Sequence, residues 1–100
     1  MYAEYDNVQG LAPKSPITIN GLKVGSVSQI SFHPKKRGTL VAHLQLDDDI
    51  EFSINSVAQI YAPDFISGKS LKINLVHDGG PIAKNGDTLR GDVDSGIMGM

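Results

Sequence analysis

The chain is expected to fold as an all-β domain, a compact seven-stranded antiparallel β-barrel. Three observations point there. Glycine or proline interrupts the sequence roughly every ten residues, the spacing of short strands and turns. The intervals between them alternate apolar and polar side chains, which is the period of a half-buried strand. No stretch holds helical periodicity for as long as about three turns.

Taken in order, Met1-Tyr2-Ala3-Glu4-Tyr5 reads as the first strand. In the next, Ile17 and Ile19 point one way, Thr18 and Asn20 the other. Asn20-Gly21 supplies a two-residue hairpin turn, because both residues tolerate positive φ. Gly25 interrupts the following strand, where a bulge or a tight barrel corner is the usual reason. That long strand draws its apolar groups from Val27, Ile30 and Phe32, with a phase slip that a bulge explains. His33-Pro34-Lys35-Lys36-Arg37-Gly38 is a polar hairpin loop. Leu40, Ala42, Leu44 and Leu46 then alternate with Val41, His43 and Gln45, up to an acidic turn at Asp47-Asp48-Asp49. Ser53 to Ala62 forms another strand with Ala58 and Ile60 inward, and Leu71, Ile73 and Leu75 mark the next. Two turns, Asp78-Gly79-Gly80-Pro81 and Lys84-Asn85-Gly86-Asp87, bring in the last strand.

One hundred residues make one domain, able to bury about two-thirds of its unfolded surface without staples. The absence of cysteine excludes a disulfide scaffold and any thiolate metal site. Nine basic and eleven acidic residues give a net charge of −2, too balanced for the field that generic nucleic-acid binding needs. No apolar run approaches the ~20 residues of a spanning helix.

Catalytic and cofactor chemistry find little support. Ser67-Gly68-Lys69-Ser70 ends like a P-loop, but the upstream glycine is missing and a strand follows, not a helix. His33, His43 and His77 show no ligand-like spacing and read as surface or structural histidines. Asp47, Asp48, Asp49 and Glu51 lack the alternation of a calcium loop and read as a solvated turn. No serine stands in a nucleophile elbow, and no acidic pair has a catalytic partner. Neither an enzyme activity, a metal nor a cofactor is expected.

The stretch Asp6-Asn7-Val8-Gln9-Gly10-Leu11, followed by Ser15-Pro16-Ile17-Thr18-Ile19-Asn20-Gly21-Leu22-Lys23-Val24-Gly25, resembles the opening of the mammalian cell entry (MCE) domain. It is similar above all to the form found in periplasmic lipid-transport subunits. The resemblance continues to Gly86-Asp87-Thr88-Leu89, with Gly10, Gly21, Gly25, Gly68, Gly86 and Asp87 as its structural motif positions. It implies an MCE-type barrel over residues 1–94, with 95–100 as the start of a following segment or a disordered tail. It also implies that the chain is a segment of a longer protein. That parent would be anchored in the inner membrane by an N-terminal helix absent here, with this domain in the periplasm. The implied role is a non-enzymatic substrate-binding and conduit module of an ABC-type phospholipid transport system linking inner and outer membranes. Its partners would be phospholipid, further copies in a homohexameric ring, and an inner-membrane permease and ATPase, with no nucleic acid.

Two places carry residues suited to such a role. Phe65 and Ile66 sit in the loop Ala62 to Lys69, an unusual place for two large apolar side chains. Read from the residues alone, they either fold back as a lid on one barrel end or form an exposed patch for assembly or a hydrophobic ligand. The resemblance assigns them to the pore loop that lines the lipid path, although Ser67 here separates the pair from Gly68, where the family's glycine commonly follows directly. Lys35, Lys36 and Arg37 form the one basic cluster, a soluble turn or a contact for anionic headgroups or a partner protein. The alternative to transport is a generic small-barrel module for oligosaccharide, peptide or single-stranded nucleic acid. Against it, Tyr2, Tyr5, Phe32, Phe52, Tyr61 and Phe65 are scattered and there is no Trp to build a stacking face.

Overall fold

A computed structural model of the chain describes residues 1–47, 50–62 and 68–93. Seven strands make up the fold: β1 (Tyr2–Tyr5), β2 (Pro16–Ile19), β3 (Leu22–Phe32), β4 (Leu40–Leu46), β5 (Val57–Tyr61), β6 (Ser70–Asn74) and β7 (Thr88–Val93). They close into a barrel in the order β1-β4-β3-β2-β6-β5-β7. Closure gives each of the seven strands a partner on both sides over at least part of its length.

The pairing is mixed, which corrects the expectation of an antiparallel barrel. β1–β4, β2–β3, β3–β4 and β5–β6 are antiparallel, whereas β1–β7, β2–β6 and β5–β7 are parallel. Short turns can only produce antiparallel neighbours. The parallel ladders join strands that are not consecutive in sequence.

The alternation seen in sequence becomes the inside and outside of the barrel. Ile17, Ala42, Ala58, Ile60 and Leu71 are fully buried, and Ile73 and Leu89 nearly so. In the β2–β3 hairpin, Ile19 faces Leu22 and the turn is Asn20-Gly21, at φ 50° and 85°. Positive φ at both central residues gives the turn whose twist suits a hairpin.

β3 carries two irregularities. Ile17 pairs with Gly25 but Thr18 with Lys23, so Val24 is the extra residue of a bulge. A second slip lies between Val27 and Gln29. Gly25, beside the first bulge, pairs with Leu46, and a Cβ there would lie 2.1 Å from the Gln45 carbonyl oxygen. Only glycine lets the two backbones come this close. Beyond the second slip, Ile30 packs against the core, but Phe32, in phase with it opposite Leu40, is 74% exposed. The pairing with β2 ends at Ser26, so the far part of β3 has only β4 beside it.

β5 begins later than expected. Ser53 makes an isolated bridge with Ile82, and its hydroxyl accepts the Asn55 N–H at 3.1 Å. The Ser56 hydroxyl accepts the Val76 N–H at 3.0 Å. These side-chain bonds to backbone hold a turn where alternation alone suggests a strand.

Candidate functional site

The barrel interior is filled by branched apolar side chains. Ile17, Ile60, Leu71, Ile73 and Leu89 are the largest, each no more than 2% exposed. An interior packed to this degree holds no ligand. Any binding or transport chemistry therefore falls to the connections and the outer faces.

The connection from Ala62 to Lys69 joins β5 to β6. Phe65 and Ile66 lie outside the described residues; β5 and β6 frame them. Tyr61 pairs with Ser70, and the Lys72 ammonium stands 4.9 Å from the centre of the Tyr61 ring. The Asn74 side chain donates to Gln59 Oε1 at 2.9 Å on the same outer face. Gly68, two residues before β6, has φ 81°. Because Ile60 also pairs with Val93 and β7 runs parallel to β1, this connection leaves the barrel at the Tyr5 end of β1.

The β3–β4 hairpin leaves at that same end, since Tyr5 pairs with Leu40. Its tip bends over β1. Lys36 Nζ donates to Glu4 Oε1 at 2.9 Å, and His33 Nε2 stands 3.7 Å from Glu4 Oε2. Residues 34 to 38, with Lys35, Lys36 and Arg37 among them, are exposed. His33 Nδ1 accepts the backbone N–H groups of both Lys35 and Lys36 at 3.0 Å. An accepting Nδ1 leaves the ring proton on Nε2, directed at Glu4. A groove of about 280 Å³ runs beneath the hairpin between Tyr2, Phe32, Pro34 and Val41.

The other candidate residues are spread apart. His43 is on β4, its ring edge-on to Tyr2 at 5.0 Å and its Nε2 3.3 Å from the Ser31 hydroxyl. His77 is exposed on a separate connection. Asp48 and Asp49 lie outside the described residues. Among the described residues, no three His, Asp or Glu side chains gather as a metal site requires, and no helix is long and apolar enough to cross a membrane. Asp87 shapes the turn before β7, its carboxylate accepting the Lys84 N–H at 2.6 Å and its carbonyl accepting the Tyr2 N–H at 2.9 Å. Gly86 within that turn and Gly10 after β1 both sit at positive φ.

Two residues that matter to the barrel were not singled out from sequence. Tyr5 is buried and donates its hydroxyl to the Ala58 carbonyl at 2.8 Å. Gly91, inside β7, lies so close to β1 that a Cβ would meet the Glu4 carbonyl at 2.1 Å and the Tyr5 ring at 2.7 Å. The one available signal was a glycine in a strand interior, which often marks close backbone approach.

The seven strands thus form a barrel with a filled interior, its exposed polar groups carried by the connections and the outer faces of the strands. The chain belongs to the MlaD protein family, whose model matches residues 1–75. It is 29% identical over 97 residues to the intermembrane phospholipid transport system binding protein MlaD of Escherichia coli K12, and matches the O157:H7 protein of the same name equally. Each alignment covers 90% of this chain and 51% of the relative, so the chain spans about half the length of the curated relatives it matches. Among solved structures, it resembles a chain of the Acinetobacter MlaFEDB complex in an ATP-bound conformation, with a TM-score of 0.80 at 18% identity. That match covers 98% of this chain and 76% of the other, and it establishes the MCE-like fold.

Proposed function

We propose that the chain is the barrel domain of a non-enzymatic, phospholipid-binding conduit subunit in an ABC-type transport system between two membranes. Family membership over residues 1–75 is one support. The observation that carries the mechanism is the filled barrel. A lipid cannot pass through a core packed with Ile17, Ile60 and Leu71, so a conduit needs several copies around a shared axis. A closed homohexameric ring provides one, with the 62–69 connection of each copy turned toward the centre and Phe65 and Ile66 lining the passage. Such a ring joins two different faces of each barrel. The parent protein would be held in the inner membrane by a helix preceding this domain, with the domain in the periplasm and its partners a permease and an ATPase.

The physical role of the apolar pair is to spare acyl chains from water, at about 0.8 kcal/mol per CH₂ kept dry. The pair must also bind weakly enough to release what it admits.

Site-specific photo-crosslinking at position 65 of the full-length parent, in its native envelope, tests this reading, with a probe at position 85 as control. Phospholipid adducts at 65 but not at 85 are expected. Adducts at 65 only to the protein's own barrel would make Phe65 a lid and overturn the reading. The double substitution Phe65→Asn, Ile66→Asn should leave the barrel folded and stop lipid passage.

A further inference from the structure

The tip of the β3–β4 hairpin has chemistry that a central conduit does not use. Lys35, Lys36 and Arg37 follow one another there, exposed beside the exposed Pro34. At the root of the hairpin, Phe32 is 74% exposed, the highest value among the large apolar side chains described. Both features are displayed on a shaped scaffold. The His33 N–H donates to the Thr39 carbonyl at 2.8 Å and the Thr39 N–H to the Lys36 carbonyl at 3.1 Å. The His33 ring accepts two further N–H groups of the tip, and Glu4 ties Lys36 down to β1.

Charge decides what this tip can meet. Among the described residues, Glu4 is the one carboxylate within ion-pair distance of the three cations, and it takes Lys36. Lys35 and Arg37 meet no carboxylate among the described residues and suit an external anion. A bilayer containing anionic lipid presents phosphates in one layer and hydrocarbon directly beneath. The hairpin offers the matching pair, cations at the tip and a phenyl ring at the root. Aromatic rings favour that boundary, and each nearby cation adds attraction to an anionic surface. A single-stranded nucleic acid would need a run of rings for its bases to stack on, and the groove beside Phe32 adds only Tyr2, whose ring already meets His43 edge-on.

We propose that this hairpin, its tip tied back over β1, docks lengthwise onto a bilayer surface containing anionic phospholipid, with Lys35 and Arg37 among the headgroups and Phe32 at the boundary. This docking is independent of the ring and its pore.

Co-sedimentation of the chain with vesicles tests the proposal. One set is phosphatidylcholine alone, the other phosphatidylcholine mixed with phosphatidylglycerol. Binding to the mixed vesicles only is expected, with release by high salt. The double substitution Lys35→Ala, Arg37→Ala should lower the partition roughly twenty-five-fold, at about five-fold per cation. Phe32→Ser should weaken binding at every salt concentration, while Lys23→Ala, a cation elsewhere on β3, should change it little. Equal binding to both vesicle types, salt-insensitive binding of the unaltered chain, or undiminished binding by the double variant would each overturn the proposal. So would no binding to the mixed vesicles, which would leave the hairpin to an acidic protein surface. The salt titration uses the unaltered chain, so it remains decisive even where a variant misfolds.

Discussion

The Tyr5 hydroxyl reaches past Gly91 of β7 to donate to the carbonyl of Ala58 on β5, at 2.8 Å. Three strands that meet in parallel at the barrel seam are thereby linked by one side chain. Burial, and then the negative charge of Asp92, push the phenol well above its usual range, so the hydroxyl stays a donor. Tyr5→Phe should therefore destabilise the domain by about 1 kcal/mol, and by up to about 3 if the carbonyl stays dry and unpaired. Chemical denaturation with an unchanged slope would confirm the loss as one of stability alone.

Gly91→Ala tests the same seam from the other side. The added methyl would sit 2.1 Å from the Glu4 carbonyl oxygen and 2.7 Å from the Tyr5 ring, so one ladder must shift. A loss of about 1–3 kcal/mol is expected, as for overpacking of a core. Thermal melting beside Gly86→Ala, where nothing lies within 4 Å of the new methyl but φ is positive, would separate crowding from backbone strain.

Leu71→Ala removes a fully buried side chain that faces the core between β2 and β5. The transfer and cavity contributions together should cost about 2–5 kcal/mol. A urea midpoint close to that of the unaltered chain would mean that the barrel can collapse around the gap.

Asp78 gives the domain a pH dependence. Hydrogen bonds from the Gly80 N–H, then from Ser53 and Asn55, lower its pKa to about 2. A folded-state pKa below the unfolded one adds stability that is complete above the unfolded value near 3.8 and disappears as pH falls toward about 2. Asp78→Asn should thus be less stable than the unaltered chain at neutral pH, with the difference shrinking between those two values. A difference constant across that window would exclude the carboxylate as its source.

Legibility from sequence followed the range of the interaction. Ile17 with Ile19, Ala58 with Ile60, and Leu71 with Ile73 announced their strands because alternation is local. Asn20-Gly21 announced its hairpin for the same reason. Strand neighbours were harder. Alternation says which face of a strand is buried but not which strand lies beside it, so the parallel ladders of β1, β2 and β5 left no local trace. Phe32 misled for a related reason: its phase matches Ile30, but no β2 residue remains beside it on β3. Tyr5 and Gly91 depend on residues more than fifty positions away, Ala58 for one and Glu4 for the other. The apolar pair Phe65 and Ile66 stood out through the rarity of such residues in a loop.

The ladder that joins Tyr2 to Thr88 also sets an order of events at the ribosome. β1 is made first, yet one of its edges has no partner until the last strand emerges. Until then β1 holds only β4, and β5 likewise awaits β7 on one side. Contacts spanning most of a chain form slowly, and unpaired edges attract other chains in the meantime. Closure of the barrel should therefore wait until β7 has emerged, its final step the insertion of β7 as a keystone between two strands that waited for it.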